Sequence, residues 1–128
     1  MKTKTETNMA HVLALVDDLF FQAKIMETAK HVGVTFRACA TPDALLAEIA
    51  QEQPRLIVVD LNARSSPVAA LPNIQAGANG VPVIAFLSHV QTDLAQQARA
   101  AGCQRVMARS QFTRDLATIL AQAKSDLT

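Results

Sequence analysis

Three acidic residues follow two apolar segments of the chain and are spaced so that they can meet in one site. Asp17 and Asp18 come directly after an apolar run over residues 12–16, and Asp60 ends a second run over 56–59. If these runs are the first and third strands of an alternating strand–helix chain, their carboxyl ends converge at one edge of the sheet. Three carboxylates at one edge repel one another unless a cation or a basic side chain joins them. The pattern therefore predicts phosphate chemistry assisted by a divalent metal ion.

Apolar runs alternate with helical patterns along the chain, which is typical of βα units around a parallel sheet. Strands are predicted over residues 11–16, 34–38, 56–59, 82–87 and 105–108. Five strands that alternate with five helices, joined by right-handed crossovers, favour the strand order 2-1-3-4-5. The prediction is therefore an α/β fold of the flavodoxin-like (βα)5 type, which is a doubly wound five-stranded parallel sheet.

Several helix boundaries can be predicted from capping residues. Gly33 is predicted to end the first helix, and Thr41 followed by Pro42 to begin the second. Thr92 and Asp93 are predicted to cap the fourth helix. A short helix is predicted over residues 68–76. The last helix is predicted to have an inner face formed by Phe112, Leu116, Ile119, Leu120 and Ala123.

Size and composition narrow the class of protein. The chain of 128 residues predicts one domain over residues 10–126, preceded by a disordered leader over 1–9. A net charge of +1 gives no reason to expect nucleic-acid binding, and no apolar run approaches the roughly 20 residues that span a bilayer. Cys39 and Cys103 are predicted on opposite edges of the sheet, too far apart for a disulfide. They are expected to be free thiols of a cytoplasmic protein.

With these positions in place, the chain resembles the receiver domain of two-component response regulators over about residues 10–125. Asp17 and Asp18 match the acid pair that holds a divalent cation in that family. Asp60 matches the aspartate that accepts a phosphoryl group from a histidine kinase. Ser88 matches the hydroxyl residue that hydrogen-bonds the phosphoryl oxygens.

The resemblance also assigns roles to two further residues. Asn62, two places after the acceptor, matches the residue whose backbone carbonyl ligates the cation, and Arg109 stands at the basic position that pairs with the phosphoryl group. The resemblance therefore implies a phosphoacceptor domain with Mg²⁺ as cofactor, and not an enzyme in its own right. Its implied partners are a histidine kinase or phosphotransfer protein and an unidentified downstream protein. The resemblance does not determine the oligomeric state, and a dimer is one of the alternatives.

The chain departs from the family at several positions, which makes it an atypical receiver. The basic residue is Arg109 instead of Lys, and Ser110 replaces the proline that usually follows it. Val106 stands where the family has a switching Tyr or Phe. His89 follows Ser88 in place of a small residue and is expected to face solvent. Residues 63–66 replace the Met-Pro turn after the acceptor.

Each of these site residues can also have a purely structural role. Asp60 can be a strand-terminal acid bonded to backbone amides, one residue of the acid pair can cap a helix, and Ser88 can be a turn residue. Arg109 can be a resident counter-ion, tied to Asp17 or Asp60 before any phosphate arrives. The main alternative function is a pseudo-receiver that acts as an interaction module without phosphorylation. A phosphatase or nucleotide-binding enzyme has less support, because no Gly-rich loop follows any strand.

Overall fold

A computed structural model describes residues 10–88 and 91–124. They form a sheet of five parallel strands in the order β2-β1-β3-β4-β5, so the predicted order and α/β fold are confirmed. The leader predicted over 1–9 and the loop residue His89 lie outside the described residues. The strands are β1 (Val12–Leu15), β2 (Phe36–Cys39), β3 (Leu56–Asp60), β4 (Val83–Leu87) and β5 (Arg105–Ala108).

Helices cover both faces of this sheet. A 3₁₀ helix (Pro67–Ala70) runs directly into the third α-helix, which agrees with the short helix predicted here. The α-helices are α1 (Leu19–Val32), α2 (Pro42–Gln51), α3 (Leu71–Ala78), α4 (Thr92–Ala100), α5 (Arg109–Arg114) and α6 (Leu116–Ala121). No helix in the described part of the chain is long and apolar enough to cross a membrane.

The segment predicted as the last helix forms two helices, because it breaks at Asp115. This residue has φ −98° and ψ 11°, outside the helical region, and it separates α5 from α6. Aspartate is a poor residue for a helix interior, since its short polar side chain favours other local conformations. The hydroxyl of Thr113 also donates to the carbonyl of Arg109, a bond that tends to bend helices. The five residues predicted for the inner face are nevertheless all buried.

The predicted caps are confirmed for two helices and wrong for one. Gly33 ends α1 with φ +92°, and the Thr41 side chain accepts a hydrogen bond from the Ala44 amide at the start of α2. Thr92 and Asp93 do not cap α4 but are its first two helical residues. The extended residue before the helix is Gln91, so α4 begins one residue earlier than predicted.

Two apolar layers hold the sheet, one on each face. Helices α1, α5 and α6 pack on one face and α2, α3 and α4 on the other, and every residue of β1, β3 and β4 is buried. Cys39 in β2 and Cys103 just before β5 are both buried free thiols. Because β2 and β5 are the two edge strands, the cysteines lie at opposite edges of the sheet, as predicted. Because Leu15 pairs in register with Val59, the residues that follow β1 lie beside the end of β3.

Candidate functional site

Asp60 lies at the carboxyl end of β3 and is the one buried charged residue in the described part of the chain, with 3% of its surface exposed. Its Oδ1 accepts a hydrogen bond of 2.9 Å from the backbone amide of Asn62. Burial raises the pKa of Asp60, and the negative charges of Asp17 and Asp18 act in the same direction. The Asn62 amide and the positive charge of Arg109 offset part of this effect. Asp60 is therefore a carboxyl group that is costly to ionise without a cation nearby.

Asp18 follows β1 and caps α1, so the capping role considered for the acid pair is confirmed for this residue. Its Oδ1 accepts from the amides of Phe20 and Phe21 at 2.9 and 3.1 Å. Its Oδ2 accepts from Nη2 of Arg109 at 3.1 Å. The Phe21 amide and then the Arg109 guanidinium are the main causes that lower the pKa of Asp18. Both carboxylate oxygens are thus bonded within the protein.

Asp17 bonds to the loop that follows β3. Its Oδ2 accepts from the backbone amide of Arg64 at 2.9 Å, which joins the loop after β1 to the loop after β3. Arg64 also lines the site and was not predicted from the sequence. No residue-type signal could have indicated this bond, because any residue other than proline supplies a backbone N–H.

Asn62 was predicted to act through its backbone carbonyl, and its side chain also forms hydrogen bonds at the site. Its Oδ1 accepts from the Ser88 amide at 2.5 Å, and its Nδ2 donates to Oε1 of Gln91 at 2.9 Å. The end of β3 is therefore tied to the loop after β4. This link holds Ser88 at the same edge of the sheet as Asp60.

Arg109 begins α5, at the carboxyl end of β5, and points into the site. Its Cζ lies 4.2 Å from the centroid of the Phe21 ring, a cation–π contact, while Nη2 holds Asp18. Phe21 is itself packed edge-on against Phe86, with ring centroids 5.3 Å apart. The hypothesis that Arg109 is a resident counter-ion is thus supported. Its partner is Asp18, whereas the expected partner was Asp17 or Asp60.

The six predicted site residues all line one open cleft at the carboxyl edge of the sheet, with a volume of about 630 Å³. The rim of this cleft adds Leu19 and Phe20, which are 74% and 88% exposed and were not identified from the sequence. Converging strand ends therefore do bring the predicted side chains together. The predicted residues are Asp17, Asp18, Asp60, Asn62, Ser88 and Arg109.

The donors in the cleft fit a hard divalent cation in their chemistry, since carboxylate and carbonyl oxygens are the ligands that Mg²⁺ prefers. They are not gathered into a ready ligand set. Within residues 10–88 and 91–124, no three or more His, Cys, Asp or Glu side chains are grouped so that they could hold a metal ion. Asp18 is bonded to Arg109 and Asp17 to the Arg64 amide. Asp17 uses only Oδ2 for its bond, whereas both oxygens of Asp18 already accept hydrogen bonds.

Comparison with known proteins gives a fold but no close relative. No protein-family model matches the chain, and no curated protein matches its sequence. The structure is similar to the phosphorylated cyanobacterial phytochrome response regulator RcpA, with a TM-score of 0.78 and 17% identity over 94% of this chain and 97% of that one. It is also similar to the chemotaxis response regulator CheY4 of Vibrio cholerae, with a TM-score of 0.75 and 18% identity over 91% and 99%.

A third similar structure carries ligands. It is a response regulator protein from Burkholderia pseudomallei with a phosphorylated aspartic acid, a calcium ion and citrate. The TM-score is 0.73 and the identity 17%, over 90% of this chain and 71% of that one. All three matches cover most of this chain, so it has the fold of CheY-like response-regulator receiver domains, as the resemblance predicted. At these identities the likeness shows the fold alone.

Proposed function

We propose that this protein is a receiver domain that accepts a phosphoryl group on Asp60 and signals through protein–protein contacts. The observation that carries the proposal is the placement of Asp60. It is buried at the end of β3, in one cleft with two acids, a hydroxyl and a guanidinium, on a receiver fold. Receiver-fold structures similar to this chain include phosphorylated ones.

The chemistry follows from the groups in the cleft. A carboxylate oxygen of Asp60 attacks the phosphorus atom of a phosphohistidine, the P–N bond breaks and an acyl phosphate forms. Arg109 and the hydroxyl of Ser88 lie in the same cleft and supply a positive charge and a donor for the phosphoryl oxygens. A divalent cation such as Mg²⁺, when bound, neutralises further charge. Asp17, Asp18, Asp60 and the Asn62 carbonyl are the groups that would hold it.

The rim of the cleft supports a protein as phosphodonor. Leu19 and Phe20 are largely exposed at the start of α1, and Met26 on the same helix is 42% exposed. Exposed apolar side chains beside a reactive group favour contact with another protein. The donor is a histidine kinase or a phosphotransfer protein, the output partner is a further protein, and the site of action is the cytoplasm. The domain assists its own phosphoryl transfer but has no separate enzymatic activity.

One observation favours a second function, the phosphorylation-independent pseudo-receiver. Arg109 already neutralises Asp18, and the acids of the described chain are not grouped as a metal site. If this arrangement is permanent, the fold serves only as a surface for partners.

Intact-mass spectrometry separates the two functions. The protein is incubated with a small phosphodonor, acetyl phosphate, with and without Mg²⁺, and Asp60→Asn is the matched control. We expect a single phosphoryl adduct that needs Mg²⁺ and is absent from the variant. If neither acetyl phosphate nor a phosphohistidine donor leaves an adduct on the wild type, the pseudo-receiver function stands instead.

A further inference from the structure

The guanidinium of Arg109 has two partners at once, the carboxylate of Asp18 and the ring of Phe21. We propose that Phe21 and Asp18 together hold Arg109 as the resident cation of the acid pair, so that a divalent cation binds only when Arg109 leaves Asp18. Phe21 and Arg109 then set the cation affinity of the cleft. The inference rests on the proposed function in one respect only, which is that it takes this cleft as the cation site.

The first step is that the two oxygens of the Asp18 carboxylate have different partners. Oδ1 accepts from two amides of the first turn of α1, at 2.9 and 3.1 Å, and these bonds stabilise the start of the helix. A ligand to Asp18 that leaves the helix intact must therefore use Oδ2. That oxygen is the one bonded to Nη2 of Arg109. A divalent cation and the guanidinium thus compete for the same atom.

The second step is the contact of the Arg109 guanidinium with the Phe21 ring. Cζ of Arg109 lies 4.2 Å from the Phe21 centroid, and Phe21 is 6% exposed and in contact with the rings of Phe86 and Phe112. The ring is therefore a fixed platform. A planar guanidinium can stack on a ring and bond a carboxylate at the same time, whereas a lysine ammonium is a strongly hydrated point charge. The arginine is held more firmly in this position than a lysine would be.

The third step is the repulsion between a divalent cation and the Arg109 guanidinium. A divalent cation at Asp18 and a guanidinium on the same carboxylate would repel each other at short range. The two occupants therefore exclude one another, and each lowers the affinity for the other to the same degree. Arg109, once released from Asp18, remains in the cleft that contains Asp60, where its charge is free for phosphoryl oxygens.

The test is a Mg²⁺ titration of the wild type and variants followed by amide NMR, because the chain has no Trp or Tyr for fluorescence. The signals are the backbone amides of residues 20 and 21 in every protein, and the Nε–H of Arg109 in the proteins that keep this arginine. We expect Arg109→Gln to bind Mg²⁺ about tenfold more tightly than the wild type, with Arg109→Lys between the two. Phe21→Leu should tighten binding in the wild type but not in the Arg109→Gln background.

Two matched controls separate this effect from general changes. Arg114→Lys makes the same chemical change elsewhere in α5, where Arg114 lies 3.8 Å from Asp115, and should leave the affinity unchanged. Phe36→Leu removes a ring in β2, outside the residues that line the cleft, and should also leave the affinity unchanged.

The outcomes distinguish this inference from the proposed function. Equal Mg²⁺ affinity in the wild type, Arg109→Gln and Arg109→Lys overturns the inference and leaves the Mg²⁺ site and Asp60 phosphorylation in place. Tighter binding in Arg109→Gln with no effect of Phe21→Leu overturns the part assigned to Phe21. Absence of Mg²⁺ binding in every variant overturns the inference and removes the cation from the proposed function as well.

Discussion

The backbone amide of Ser88 donates a hydrogen bond of 2.5 Å to the side-chain oxygen of Asn62. This bond ties the loop after β4 to the end of β3, directly at the mouth of the cleft. The backbone amide of the same asparagine holds Oδ1 of Asp60. Asn62 thus positions both the acceptor and the hydroxyl residue of the proposed reaction, which is more than the backbone-carbonyl role assigned to it from the sequence.

Replacement of Asn62 by alanine should free the Ser88 amide. We expect faster hydrogen–deuterium exchange at Ser88 and a loss of about 1 kcal/mol in the free energy of unfolding, as for one hydrogen bond. The matched control is Gln91→Ala, which removes only the partner of the Asn62 amide group. Unchanged exchange at Ser88 in Asn62→Ala, measured by NMR, would show that the bond does not order this loop.

Replacement of Asp60 by asparagine should stabilise the fold at neutral pH. Burial raises the pKa of Asp60 in the folded state, so its favourable contribution is complete below 3.8, the ordinary value, and is lost as pH rises through the folded value. Asparagine keeps an oxygen for the Asn62 amide and removes the charge. We expect a higher free energy of unfolding for Asp60→Asn than for the wild type at neutral pH, measured by urea unfolding, and no difference below the ordinary value.

The matched control for this variant is Asp43→Asn. Asp43 lies in the first turn of α2, outside the residues that line the cleft, where its charge favours the helix. The Asp43→Asn variant should show no gain in the free energy of unfolding at neutral pH. A destabilised Asp60→Asn would mean that the negative charge of Asp60 is better compensated in the cleft than its burial indicates.

Replacement of Ser66 by glycine should also stabilise the protein. Ser66 has φ +50° and ψ +64°, a left-handed conformation that is strained for a residue with a side chain, and it precedes Pro67. We expect a gain of about 0.5 to 1 kcal/mol in urea unfolding, because glycine adopts this conformation without strain. Asn79→Gly is the matched control. Its φ is +52°, and the gain should be smaller because asparagine tolerates this region.

Any response to phosphorylation should be concentrated close to the phosphoryl group. Val106 is half-buried in β5 beside α4 and has no ring that could exchange between buried and exposed positions. A ligand shifts an equilibrium only through its different interaction with the two states, and a small side chain offers little difference. We expect beryllofluoride with Mg²⁺ to change amide chemical shifts mainly at residues 62–67 and 88–92. Shifts at Val106 as large as those at Ser88 would contradict this.

The sequence by itself determined the architecture and six of the residues that line the cleft. Apolar runs and helical stripes depend on local spacing, and right-handed crossovers leave few ways to order five parallel strands. Residues directly after β1 and at the end of β3 must then meet at one edge, as Asp17, Asp18 and Asp60 do. Caps such as Thr41 were also predictable, since the capping bond spans only three residues.

Only the tertiary structure decided which atoms bond to which within the cleft. The bond from Arg109 to Asp18 spans 91 positions of sequence, and the bond from the Arg64 amide to Asp17 spans 47. Such pairings depend on rotamers and on backbone positions to within a fraction of an ångström, which composition and periodicity do not encode. Arg109 contacts the Phe21 ring as well as Asp18, and the place of that ring is set by the packing of α1 on the sheet.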